Sequence, residues 1–169
     1  MIRESGIFIP AENLLGDLPT RVVTARHHDD LPDDDYFFTE AYCSDPACDC
    51  RRVQFWVVGA KPKQILATIT YAWESREFYE RWQGSQDVMW GADLEPLGRQ
   101  SEHAPALLKI FRESVLPSPG YAARIRRHYQ LFKAAAASQV KPSSRPSRNQ
   151  ACPCGSGRKY KRCCLGQSA

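Results

Sequence analysis

Residues 36–59 read YFFTEAYCSDPACDCRRVQFWVVG, and this stretch decides how the chain folds. Its opening, residues 36–42, is rich in aromatic side chains, and its close, residues 53–58, is an almost unbroken apolar run containing Phe55 and Trp56. Aromatic and β-branched residues suit a pleated, half-buried surface, so both ends read as strands. Between them Ser44-Asp45-Pro46 supplies turn chemistry. Strands joined so closely pair antiparallel, because a parallel pair needs a crossover of about a dozen residues or more.

The same reading extends outward in both directions. Residues 20–26, 36–43, 51–59 and 64–73 form strands with short connections, giving an antiparallel sheet of about four strands. After Trp73 the periodicity changes. Residues 76–82 read as a helix and 84–98 as irregular chain, followed by helices over 102–116 and 121–136, separated by the breaker Pro117-Ser118-Pro119-Gly120. Strands first and helices afterwards define an α+β fold. With 43% hydrophobic and 11% aromatic residues, a body spanning 1–138 has enough apolar material for a sizeable core.

Charge separates this body from the C-terminal tail. From Gln139 onward there are seven Lys or Arg residues and no acids, so the body carries the other sixteen basic residues and all nineteen acidic ones. The body is therefore mildly acidic, and the tail, with seven positive charges, more than accounts for the net charge of +4. Residues 139–149, with the sequence VKPSSRPSRN after Gln139, read as a Pro- and Ser-rich linker, and residues 150–167 as a separate small unit.

That unit contains CPCGSGRKYKRCC, residues 152–164. Cys152, Cys154, Cys163 and Cys164 bring four thiols onto one short loop, and four soft donors at about 2.3 Å are what tetrahedral zinc requires. Pro153 stiffens the first arm, and Gly155 and Gly157 permit the positive φ angles of a chain folding back around an ion. Arg158, Lys159, Lys161 and Arg162 surround the thiols with positive charge, which favours the thiolate form. The competing readings are disulfides or a basic disordered tail carrying incidental thiols. Disulfides need an oxidising compartment, whereas the opening MIRESGIFIP lacks the features of a secretory leader, so a cytoplasmic location is expected. No segment approaches the roughly 18 consecutive apolar residues of a membrane span.

On Cys152, Cys154, Ser156-Gly157, Lys159-Tyr160, Cys163 and Cys164, with Gly166 just beyond, the tail resembles the SEC-C motif. This is the zinc-binding tail of the preprotein translocase ATPase, and it also ends many unrelated bacterial proteins. The resemblance implies one zinc ion held by the four cysteines, Cys164 standing where the translocase tail often has histidine. It also implies docking onto an acidic protein surface, and contacts with lipid and ribosome. It covers only about the last twenty residues and implies nothing about the body.

The other three cysteines, Cys43, Cys48 and Cys50, form C-x4-C-x-C in the turn between the strands at 36–43 and 51–59. They are candidates for a second zinc site, one donor short of a closed tetrahedron. His27 and His28 lie beyond the far end of the 36–42 strand, over about 20 Å from Cys43 at the rise of a β-strand. His128 is a better fourth ligand, since it shares the helical stripe of Tyr121, Ile125, Tyr129 and Phe132. His103 and Asp45 are the alternatives. The bland reading is three small buried hydrophobes and a hydrogen-bonded core histidine. Redox chemistry fits less well, because no C-x-x-C is present.

The function expected from these features is that of a non-catalytic zinc protein. Its basic tail would dock onto an acidic protein surface, a ribosome or RNA, with Tyr160 available for stacking on bases. A metal-dependent hydrolase is the alternative, built on the acidic segment at residues 27–35, where His27 or His28 would join Asp29, Asp30 and Asp33 to Asp35. No glycine-rich phosphate loop or nucleophile motif accompanies that segment.

Overall fold

The computed structural model describes residues 7–139, 148–149, 151–152 and 156–163. The chain divides into two compact units, Met1–Ala137 and Ser138–Ala169. Of the expected linker at 139–149, only residues 139, 148 and 149 are among those described.

The first unit is an α+β body. Its strands are β1 (Phe8–Pro10), β2 (Arg21–Ala25), β3 (Asp34–Cys43), β4 (Arg52–Gly59), β5 (Ile65–Ala72) and β6 (Gly91–Leu94). They form one antiparallel sheet in the order β1-β3-β4-β5-β6, with β2 also pairing β3. Residues 36–59 thus fold as the expected hairpin, with Tyr36 opposite Gly59 and Ala41 opposite Gln54. The sheet has six strands where four were expected. The two additional ones, FIP and GADL, are only three and four residues long and carry no alternating pattern of their own.

The helices are α1 (Glu12–Leu15), α2 (Arg76–Gln83), α3 (Ala104–Ile110) and α4 (Tyr121–Gln139). The Ser75 side chain accepts the N–H of Phe78 at the start of α2, and Gly84 in the left-handed region (φ 70°) closes its other end. Helix α3 does not run straight through to Leu116. It passes into a π-helical turn, Phe111–Val115, closed by the Leu116 N–H on the Phe111 carbonyl at 2.8 Å. Gly120, at φ 74°, turns the chain from the Pro-rich breaker into α4.

Strand alternation explains where the core lies. On β4, Val53, Phe55 and Val57 are buried while Arg52, Gln54 and Trp56 face the other side. Tyr36, Phe38 and Tyr42 on β3 and Ile69 on β5 join them in the core, together with Leu107, Phe111, Ile125 and Phe132 of the helical segments. Phe111 is the hub, 4.8 Å from the Phe55 ring and 6.0 Å from that of Phe38. Each such side chain contributes about 1.5–3 kcal/mol by burial, which holds α4 on the sheet despite its many charged residues.

The opposite face of the sheet is partly covered. Arg52 stacks on the rings of Tyr79 and Trp82 of α2. The chain after β6 folds across β5, and the Glu95 N–H donates to the Thr68 carbonyl. Gly98 lies so close to Thr68 that a Cβ there would stand 2.5 Å from the Thr68 Cβ.

Candidate metal centre

Cys43 is the last residue of β3, and Cys48 and Cys50 follow in the turn leading to β4. An Asx turn shapes that connection. The Asp45 carboxylate accepts the Ala47 N–H at 2.9 Å, and the Asp45 carbonyl accepts the Cys48 N–H at 3.2 Å. Arg51, at φ 46°, redirects the chain into β4. Helix α4 braces the loop from one side. Lys133 Nζ donates to the carbonyls of Cys43 (3.0 Å) and Asp45 (2.6 Å), and the Tyr129 hydroxyl donates to that of Cys48 (3.4 Å). From α2, the Tyr79 hydroxyl donates to the Arg51 carbonyl at 2.8 Å.

The result is a cluster in which the three thiol sulfurs lie within 4.8 Å of one another. Thiolates sharing a tetrahedral zinc stand about 3.8 Å apart, given bonds of about 2.3 Å, so only a small contraction brings them into range. Cys43 and Cys50 are buried and Cys48 half-buried, and none of the three is in a disulfide. Hydrogen bonding from the Cys50 thiol lowers the Cys43 thiol from 9.0 to about 5, helped by the Asp45 backbone N–H, the Lys133 charge and the Cys48 thiol, and opposed by burial. Donation to Cys43 and burial push Cys50 up, and burial chiefly does the same to Cys48. The three thiols thus pull one another apart, Cys43 toward the thiolate and Cys48 and Cys50 toward the protonated form. A cation that binds all three replaces the remaining protons.

None of the expected fourth ligands joins this cluster. His128 occupies the apolar stripe of α4 and is buried, but its Nδ1 lies 2.7 Å from Glu40 Oε2. Glu40 is the reason. It faces inward from β3, accepts the Tyr42 hydroxyl at 2.8 Å and lies 3.5 Å from Arg124, and a buried carboxylate of this kind captures the nearest imidazole. The Asp45 carboxylate is committed to its own turn. His103 sits ahead of α3, 3.8 Å from Glu102.

The acidic segment is used locally. Asp33 accepts the His27 N–H, Asp34 accepts the Lys61 N–H with both oxygens, and Asp35 binds Thr24 and Arg26. His28 Nδ1 accepts the Asp30 N–H. Among the described residues, the only group of three or more His, Cys, Asp or Glu donors placed to share a cation is Cys43, Cys48 and Cys50. Glu40 and Lys133 escaped the sequence reading. The inward period of Tyr36, Phe38, Glu40 and Tyr42 marks Glu40 as a buried acid in need of partners.

The second unit is a tight turn. Ala151 and Lys159 form an antiparallel bridge, with the Cys152 N–H on the Arg158 carbonyl at 2.8 Å. Gly157 (φ 71°) makes the reversal, and a 3-10 turn, Tyr160–Arg162, leads to Cys163. The Lys161 N–H returns to the Arg148 carbonyl at 2.9 Å. Ser156 Oγ lies 3.2 Å from Cys163 Sγ, and Cys152 is buried. Cys154 and Cys164 lie outside the described residues. The described part suits a zinc-thiolate knuckle: a reversal that returns the chain toward its first cysteine, a buried sulfur, and a hydroxyl in reach of another sulfur. Arg148, Arg158, Lys159, Lys161 and Arg162 are all exposed around it.

Residues 148–166 match the family model of the SEC-C motif. The chain thus carries a SEC-C motif, a zinc-binding type of tail, joined to an α+β body with a cysteine cluster able to hold a metal ion. No curated protein and no solved structure matches the chain. Among the described residues, no helix is long and apolar enough to cross a membrane.

Proposed function

We propose that this chain is a zinc-binding, non-catalytic interaction protein of the cytoplasm. One zinc ion would sit on Cys152, Cys154, Cys163 and Cys164 and a second on Cys43, Cys48 and Cys50, while the basic tail docks onto an acidic partner. The observation that carries this reading is the exposed cationic collar of Arg148, Arg158, Lys159, Lys161 and Arg162 on a SEC-C motif. With no Asp or Glu after Gln139, no acidic side chain within the tail pairs with that collar, and the tail's seven basic residues exceed the minus two of a four-thiolate zinc site. Zinc on four thiolates would contribute folding free energy on the order of 10 kcal/mol, enough to fix the collar's geometry. Asp33, Asp34 and Asp35 of the acidic segment are taken up by backbone N–H groups and by Arg26, which favours a scaffold over a hydrolase built on that segment.

Binding of the zinc-loaded chain to a single-stranded RNA oligomer and to an acidic peptide tests this proposal. Both kinds of partner lose affinity with salt, and RNA does so with a log-log slope of about −0.7 per neutralised phosphate. A defined one-to-one stoichiometry with sensitivity to single charge substitutions marks a protein partner instead. Deletion of residues 139–169 is expected to abolish binding. Binding that persists unchanged after that deletion refutes the proposal.

A further inference from the structure

We infer that the Cys43, Cys48 and Cys50 centre is an open metal site whose fourth position takes a small anion from solution. This rests on the proposal that the trio holds an ion. It departs from the closed four-ligand site that a purely structural role would require.

The first observation is the count of donors. Three sulfurs converge with no fourth His, Cys, Asp or Glu donor beside them among the described residues: an Asp45 oxygen accepts the Ala47 N–H, Asp49 pairs with Arg51, and His128 is held by Glu40. The second is the space beside them. A cavity of ≈ 140 Å³ is lined by Phe8, Cys50, Arg52, Gln54, Thr70 and Glu95. Cys50 is itself one of the three ligand residues, and Phe8 is the strand partner of a second, Cys43, so the cavity opens directly onto the cluster at Cys50. A water molecule claims about 30 Å³ of liquid, so the space admits a ligand of a few heavy atoms.

The third observation is the chemistry of the wall. Gln54 and the Thr70 hydroxyl both donate to Glu95 Oε2, at 3.3 and 2.7 Å, which fixes that oxygen of the carboxylate in place. The Arg52 guanidinium lies over the Tyr79 ring (4.7 Å) and the Trp82 ring (5.3 Å), with one nitrogen on the Met89 carbonyl at 3.3 Å. Its Nε is buried without a partner. A buried donor is satisfied by an acceptor, and a cationic one by an anion. Charge agrees. Three thiolates on a divalent ion leave a net charge of minus one, and an anionic fourth ligand brings it to minus two, the value a four-cysteine site carries. Arg52 on the cavity wall and Lys133 at the Cys43 and Asp45 carbonyls offset part of that charge and of the charge of Glu95, whose carboxylate lines the same wall.

The test uses the full chain with Cys152, Cys154, Cys163 and Cys164 replaced by serine, so that only the body site remains. Reduced protein is loaded anaerobically with cobalt(II), which reports coordination through its visible spectrum, and titrated with azide. One cobalt per chain is expected, with bands that shift saturably as azide binds. Arg52→Met is expected to weaken azide about tenfold while leaving the cobalt count at one, the loss of one charge-assisted hydrogen bond. Arg52→Lys is expected to recover part of the affinity. One bound cobalt whose spectrum ignores azide overturns the open site and leaves the metal reading standing. Azide affinity that is indifferent to both Arg52 substitutions overturns the role given to the cavity. Absence of bound cobalt removes the metal reading itself.

Discussion

His128 Nδ1 lies 2.7 Å from Glu40 Oε2, a buried contact that spans 88 residues of sequence and fastens helix α4 to strand β3. Tyr42 and Arg124 approach the same carboxylate. Loss of one partner from such a network leaves a buried acceptor short of a donor, at a cost of about 1–3 kcal/mol. His128→Ala is expected to lower unfolding free energy by that amount in urea titration while leaving metal content unchanged. Loss of a metal equivalent in this variant would return His128 to the ligand set.

Lys133 plays the corresponding role for the cysteine loop. Its ammonium bonds two carbonyls of the loop, and no other cation among the described residues makes such a bond to them. Lys133→Met is expected to cost about 1–3 kcal/mol and to speed metal loss to a chelator. Chelator kinetics that match the unsubstituted chain would show that the loop holds its shape without it.

Gly98→Ala tests the cover over the outer sheet face. The added Cβ would stand 2.5 Å from the Thr68 Cβ, 2.8 Å from its Oγ1 and 2.9 Å from its Cγ2, so the backbone at 95–100 must lift away. Overpacking of this kind costs about 1–3 kcal/mol. Thermal unfolding reads that loss, and an unshifted midpoint would mean that the loop moves freely.

Alkaline pH is expected to unfold the body through its tyrosines. Burial pushes Tyr79 from the ordinary 10.0 to about 12, and it likewise raises Tyr42, Tyr121 and Tyr129. A raised folded value means that the folded state holds its proton longer than the unfolded chain. The associated stability is intact below pH 10 and is lost as pH rises through about 12. Unfolding midpoints followed together with tyrosinate absorbance check this window. A midpoint that stays level from pH 10 to 12 contradicts it.

The hairpin at residues 36–59 was legible because aromatic and apolar runs flank a turn, and periodicity alone places Ile125, His128, Tyr129 and Phe132 on one buried stripe of α4. Strands β1 and β6 were not legible. Phe8–Pro10 and Gly91–Leu94 are too short for a pattern and are held by pairing with Cys43, Tyr42 and Ala41 and with β5, which are long-range partners. The π-helical turn at Phe111–Val115 likewise arises inside an uninterrupted helical pattern. At the candidate metal centre, residue types and spacing identified the three sulfurs. They could not identify the competition for His128, because Glu40 meets it only after the helix packs on the sheet.

The most direct measurement is zinc per chain in reduced, full-length protein, set beside Cys48→Ser and the deletion of residues 139–169. The account predicts two equivalents for the intact chain, one for each altered chain, and none when both changes are combined. A single equivalent in the intact chain, or two retained after Cys48→Ser, would contradict it.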